Sequence, residues 1–380
     1  MRLSKTIMLG AVLSLAAGCK GGGVDAIDDM EYQESLPDLA GLSMEVNESS
    51  TNEGRLVAEG FAEYAAALEQ QQTGAPEYLE GARLQVKALN TALKQLVTRV
   101  VELSNGDVPE SMPGDVLVYG PKDGTDATWR LQVKKTGAQR FAWKLEARPL
   151  GSTDDAAYKL VGAGRMVRGA LAHRGHGTLG LNLDNYKAVA PGTTGQGKLL
   201  ASFAHPSAGG KALAYRLAAF TPNPANHEAV TGAFVGHKLV GGLTRIRVIS
   251  RKNLPNVPNA TDAKETYVSR IRFKPGVGGR ADVVVAGGDV PQGQFYFGVS
   301  CWDAQEAEKF KLLRLCTKQE NAAPTCTMVQ ESGARTACPS DTFLRDVEPP
   351  MQNPDPGDTA PEEGAPEAPE AVPADVTADF

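Results

Sequence analysis

The sequence predicts a mainly β protein: a long antiparallel meander forming a curved sheet, half-barrel or sandwich, with an N-terminal helical hairpin and a disordered acidic tail. Three observations predict it. Apolar and polar residues alternate with period two through much of 111–300, placing successive side chains on opposite faces of strands. Turn-forming clusters separate these runs at short intervals, as in a chain of hairpins. A helical apolar stripe precedes the runs, and a Pro-rich acidic stretch follows them.

Met1 to Gly18 carries Arg2 and Lys5 and then an uncharged run that is too short to span a bilayer but has the anatomy of a secretion signal. It ends in Leu15-Ala16-Ala17-Gly18-Cys19, which resembles the lipobox of bacterial lipoproteins. The family prefers Leu three places before the cysteine, where Ala16 stands here. The resemblance implies removal of 1–18 and acylation of Cys19, including a palmitate-type chain, with the membrane as first partner. Each buried CH₂ contributes roughly 0.8 kcal/mol, so two or three chains hold stably. Lys20 in place of Asp implies, by the same family's sorting rule, the outer membrane rather than the inner.

Residues 19–52 show no sustained periodicity and read as an acidic tether, spanning on the order of 30 Å if flexible. Two helices are expected in 53–106. The first carries Val57, Phe61, Tyr64, Ala65 and Leu68 on one face. The second follows Pro76, ends at Asn105-Gly106, and steps by threes and fours through Leu79, Ala82, Val86, Leu89, Leu93, Leu96, Val100 and Leu103. Such a hairpin is expected to cover the apolar face of the sheet.

The β domain occupies 111–345. Leu131 alternates with Arg130 and Gln132, and Phe141, Trp143 and Leu145 alternate with Lys144 and Glu146. Arg245 and Arg247 flank Ile246, and Arg270, Arg272 and Lys274 flank Ile271 and Phe273. One face is therefore expected to be apolar and the other basic, a pattern that favours antiparallel pairing. About eleven strands fit the turns, at roughly the usual strand length. Four cysteines follow in or after the last strands, Cys301, Cys316, Cys326 and Cys338, and in an oxidising compartment they imply two disulfides in one of three pairings. At least one bridge is expected to pin the irregular piece 317–339 to the sheet. Residues 346–380 contain eight prolines, ten acidic groups and no Lys or Arg, a composition that predicts disorder.

Net charge is −6, but it is unevenly divided. Residues 111–300 carry 25 basic and 12 acidic groups (+13), whereas 19–110 carry 6 and 17 (−11). The basic face, centred on Arg245, Arg247, Arg270, Arg272 and Lys274, therefore suits an anionic lipid, lipopolysaccharide, an acidic envelope protein or the chain's own acidic segments. Nucleic acid is not expected, because Trp129, Phe141, Trp143 and Phe273 fall on the opposite face, away from the cations.

No motif points to catalysis, a metal or a cofactor. There is no G-x-S-x-G elbow. His173 and His176 point to opposite faces if both lie on a strand, and the cysteine intervals lack a CxxC pair. Gly162-Ala163-Gly164 and Gly175-His176-Gly177 do not open recognisable helices, so they do not read as phosphate loops.

The order of lipid signal, helices and antiparallel meander resembles that of envelope carriers for lipoproteins or lipids, whose half-barrels cradle acyl chains. Runs such as Cys301-Trp302-Asp303 resemble those of uncharacterised envelope lipoproteins. The expectation is a non-enzymatic envelope lipoprotein with a binding or structural role. A hydrophobic-ligand carrier with a pocket around Leu131, Phe141 and Trp143 is the first alternative, and a hydrolase the second.

Overall fold

The computed structural model describes residues 26–36, 38–44, 77–106, 109–193, 195–206, 209–221, 229–254, 261, 263–319 and 322–337. Cys19, Cys338, the helix expected over 57–68 and the acidic tail lie outside them. Fifteen strands form one antiparallel sheet in which every strand pairs with its sequence neighbours, from β1 (Glu110–Met112) to β15 (Ala322–Gly333), and the two ends do not pair with each other. A single open sheet replaces the sandwich alternative.

Four strands more than expected are present, and their sequences explain why they were hard to read. β1 has three residues. β5 (Lys159–Arg168) and β6 (Gly175–Asn182) carry Gly162, Gly164, Gly177 and Gly180 where apolar residues would mark alternation. Some of these glycines make room for the core. A Cβ at Gly162 would lie 2.7 Å from Leu96, and one at Gly164 would lie 2.7 Å from the Trp143 ring. β15 occupies what reads as the irregular piece 317–339, and pairs with β14 (Glu308–Gln319).

The concave face of the sheet is filled by helices. In chain order these are α1 (Ala26–Glu34), α2 (Leu39–Leu42) and α3 (Glu77–Gly106). All eight stripe residues of α3 from Leu79 to Leu103 are buried, with Ala92 and Val97 beside them. The helix touches strands at both ends of the ladder. Leu96 reaches Gly162 on β5, Arg99 stacks on Trp129 of β3 (Ala127–Gly137), and Tyr78 reaches Gly298 on β13 (Gln294–Trp302). The sheet therefore curls around α3.

Residues 26–44, expected to be tether, are instead folded into this core. Tyr32, Leu36, Leu42 and Met44 are buried, and the Tyr32 ring meets Phe141 edge-on at 5.4 Å. Tyr32 donates to the Asp115 carbonyl (3.0 Å), and Tyr215 donates to the Leu42 carbonyl (2.6 Å). Lys135–Glu31 (2.7 Å) and Arg168–Glu34 ion pairs tie the segment to the strands. Four apolar residues spread over thirteen positions in two short helical pieces leave no period to detect, so tertiary packing decides the conformation.

A third feature was not anticipated. α4 (Leu183–Val189) follows β6, with Asn182 capping its start by accepting from the Asn185 amide (3.1 Å). Seven residues are too few for a helical stripe to show in sequence.

Candidate functional site

The basic residues singled out by the sequence come together on the convex face. β10 (Thr244–Lys252) and β11 (Glu265–Lys274) are adjacent. Their register sets Arg245 opposite Arg272 and Arg247 opposite Arg270. On β12 (Gly278–Ala286), Arg280 stands opposite Arg272, and Asp282 opposite Arg270. Directly paired positions hold their Cβ atoms about 4.5–5.5 Å apart, so five guanidinium groups form a ladder two residues deep and three strands wide. All five are partly exposed. Lys274 is exposed at the end of β11, opposite Gly278 and one position past the β10 pairing.

Local sequence fixes this placement. β9 (Val230–Lys238) turns into β10 through Gly241 and Gly242, both at positive φ (95° and 87°), a conformation suited to glycine. The turn is closed by the Leu239 amide donating to the Leu243 carbonyl (2.8 Å). A one-residue slip there would send Ile246 and Val248 out of the core and the arginines into it.

Asp282 supplies a counter-charge within the ladder. Arg280 donates to it through Nε (3.0 Å) and Nη2 (2.6 Å). Burial pushes the Asp282 carboxyl above the usual carboxylate range, against the downward pull of the Arg280 hydrogen bond and of Arg272 and Arg270. The ladder suits phosphate or carboxylate groups, since each guanidinium offers a planar fork of donors.

The convex face is not uniformly basic, which corrects the expectation of one apolar and one basic face. Alongside the arginines, Ile249, Val268 and Val284 form one buried apolar cluster, and Val299, Cys301, Phe310 and Leu312 form another, with Phe297 packed against both. Phe310 is 3% exposed and so is not available to stack on a base. Arg280, Asp282, Phe297 and Phe310 were passed over in sequence, although Arg280-Ala281-Asp282 carries the same period-two signal as the neighbouring strands.

Leu131, Phe141 and Trp143, the candidate apolar pocket, are at most 1% exposed and belong to the concave core with α1 and α3. Cys316 and Cys326, opposite one another on β14 and β15, form a disulfide. Cys301 is fully buried and also disulfide-bonded, to a partner outside the described residues. His173 and His176 do not converge. His173 sits in the β5–β6 turn and donates from Nδ1 to the Leu36 carbonyl (3.1 Å), whereas His176 is exposed on β6. Among the described residues no group of His, Cys, Asp and Glu could hold a metal ion. No helix of the described residues is long and apolar enough to cross a membrane.

A different histidine occupies a more unusual setting. His205, at the end of β7 (Gln196–His205), is buried, accepts from Arg174 at Nε2, and has an Nδ1 without a hydrogen-bond partner. Burial, then Arg174 and Lys211, lower its pKa, with Asp38 opposing. With His173, it braces the α1–α2 segment against the sheet.

Compared with known proteins, the chain matches no protein-family model, no curated protein and no solved structure.

Proposed function

We propose that this chain is a non-enzymatic lipoprotein of the bacterial envelope, anchored through Cys19, whose curled sheet is a rigid body presenting the arginine ladder to anionic groups at a membrane surface. The anchor rests on the lipobox-like Leu15-Ala16-Ala17-Gly18-Cys19, and the outer membrane on Lys20. The observation that carries the binding role is the register of β10, β11 and β12, which stacks Arg245, Arg272 and Arg280 in one row and Arg247 and Arg270 in the next. Like charges placed directly opposite one another are unfavourable in a sheet, so anionic groups stabilise such a ladder whether the chain itself or a ligand supplies them. The concave face favours a structural body over a ligand carrier, since the residues that would line a pocket are packed against α1 and α3. Phosphate-bearing lipid headgroups match the ladder in charge and donor geometry, and the acyl anchor would hold the face within reach of them.

The anchor is tested by producing the full chain in a diderm bacterium fed an alkyne-bearing palmitate. Labelling that disappears with Cys19→Ser supports it, and equal labelling of the variant overturns it. The binding face is tested by flotation of the Cys19→Ser full chain with vesicles of phosphatidylglycerol or phosphatidylcholine. Selective flotation with the anionic vesicles, lost in Arg247→Gln/Arg270→Gln, is expected. A lipid-range mass retained by the Cys19→Ser chain in native mass spectrometry would instead make it a carrier.

A further inference from the structure

The turns of the meander sort into two rims, and the rims differ in chemistry. In an antiparallel ladder of sequential strands every odd-numbered strand ends at the same side, so the turns after β1, β3, β5, β7, β9, β11 and β13 share one rim. Exposed large apolar residues gather there. Leu171 in the turn after β5 is 55% exposed, Val240 after β9 76% and Val277 after β11 39%, and the exposed Met112 ends β1. Met30 on α1 is exposed too, and it is held at this rim because its neighbour Glu31 pairs with Lys135 and Tyr32 donates to the Asp115 carbonyl beside the first turn. Among the described residues, the turns of the opposite rim show one such residue, Leu150.

Charge divides the same way. The turns 138–139, 169–174, 239–243 and 275–277 contain no Asp or Glu, and Arg140, Lys238 and Lys274 flank them. The other rim mixes its lysines with Asp126, Asp154, Asp155, Asp184 and Asp289. Carboxylates return to the first rim only toward its extremes, at Asp115 and at Asp303 and Glu306, and there Asp303 is paired with Lys309 (2.8 Å) and Glu306 with Arg83 (2.6 Å). Of the two rows of the ladder, Arg245, Arg272 and Arg280 form the one nearer this rim.

Single exposed apolar residues are ordinary on a protein surface. Here they are one-sided, set among cations and, between β3 and β12, clear of carboxylates. Successive tips stand two or four strands apart, about 10–19 Å along the rim, which is too far for one small ligand and suits a flat surface. The interface of an anionic bilayer answers both features, since acyl chains receive the tips and lipid phosphates receive the cations. Chain length agrees. Cys19 precedes Ala26, the first residue of α1, by seven residues, at most about 25 Å of extended chain, so an acyl group on Cys19 keeps α1 and this rim close to the bilayer.

We infer that this rim is the membrane-contact surface of the protein. Met30, Leu171, Val240 and Val277 enter the interfacial layer of an anionic bilayer, and Arg245, Arg272 and Arg280 meet the phosphates at its border. The inference rests on the envelope reading above for its membrane, and it adds an orientation: this rim down, the Asp-bearing turns away from the lipid.

Fluorescence of the Cys19→Ser full chain carrying Val240→Trp tests it, with vesicles of phosphatidylglycerol brominated on the acyl chains. Trp129, Trp143 and Trp302 are buried and supply a background that the vesicles leave unquenched. On the vesicles the introduced indole should shift to the blue and lose most of its emission, whereas Leu150→Trp on the opposite rim should do neither. Flotation without quenching of Val240→Trp, or with equal quenching of Leu150→Trp, overturns the rim and leaves the arginine ladder as the binding surface. Quenching of Val240→Trp that persists undiminished in Arg247→Gln/Arg270→Gln supports the rim and removes the ladder from the reading. A chain that does not float overturns both and assigns the rim to a protein partner.

Discussion

The indole of Trp143 on β4 (Arg140–Pro149) occupies the space that a side chain at Gly164 on β5 would need: a Cβ there would lie 2.7 Å from the ring and 2.6 Å from the Thr178 carbonyl. Neither neighbour can yield, since Trp143 is buried under α3 and the carbonyl is backbone. Gly164→Ala is therefore expected to lower unfolding free energy by about 1–3 kcal/mol, the usual cost of overpacking a tight core. Urea denaturation followed by tryptophan fluorescence measures it.

The opposite fault, a void, is expected from Leu93→Ala. Leu93 is fully buried at the middle of α3, and removing three methyl or methylene equivalents without collapse of the surrounding sheet costs about 2–5 kcal/mol. A loss below 1 kcal/mol in the same denaturation would mean that the helix is not the keel of the core.

Acid should loosen the α1–α2 segment through His205. Its folded pKa lies below the ordinary 6.5, so the unfolded chain takes up the proton first. Stability is fully present above about pH 6.5 and declines as pH falls from there toward the lowered folded value. Melting temperature is expected to drop between pH 7 and pH 5. His205→Gln, which cannot titrate, should flatten that slope, and a slope that persists assigns the effect to other groups.

β15 depends on its partner strand more than any other element. Every residue but Pro324 is exposed, so no apolar face holds it, and the ladder to β14 and the Cys316–Cys326 bridge remain. Cys316→Ser/Cys326→Ser should accelerate amide exchange over 322–333 by an order of magnitude or more, while the β3–β7 amides are unaffected. Uniform acceleration would show instead that the bridge stabilises the whole sheet.

Charge on the convex face should act locally. Arg247→Gln is expected to advance elution from heparin to lower salt. Arg130→Gln, on the convex face of β3 but already paired with Glu146 at 3.0 Å, should shift it less. Equal shifts would reduce the ladder to general positive charge.

The meander, the α3 stripe and the adjacency of the two arginine strands were legible because each rests on a period carried by side chains. The α3 residues repeat for eight turns, and Arg245, Arg247, Arg270 and Arg272 alternate with residues that must be buried. What was not legible lacks such a carrier. Tyr32, Leu36, Leu42 and Met44 enter the core one at a time, and their partners lie up to about 190 residues away, as Met44 and Gly236 do. The glycines of β5 and β6 erase the alternation because they accommodate side chains from elsewhere. On the convex face, Phe310 and Leu312 lie apart in sequence from Arg280, and only the register of β12, β13 and β14 brings Phe310 into one row with Arg280 and Cys301 and sets Leu312 in the next.

The two margins of the sheet are unequal. β1 is three residues long and β15 twelve, alternate residues of each facing outward, with Met328 and Val329 turned to solvent. Among the described residues, β15 is the long margin along which a further strand can add. Two copies meeting β15 to β15 would use up each other's long margin and leave only stubs behind, so growth by that route terminates at a pair and cannot run on into a fibre.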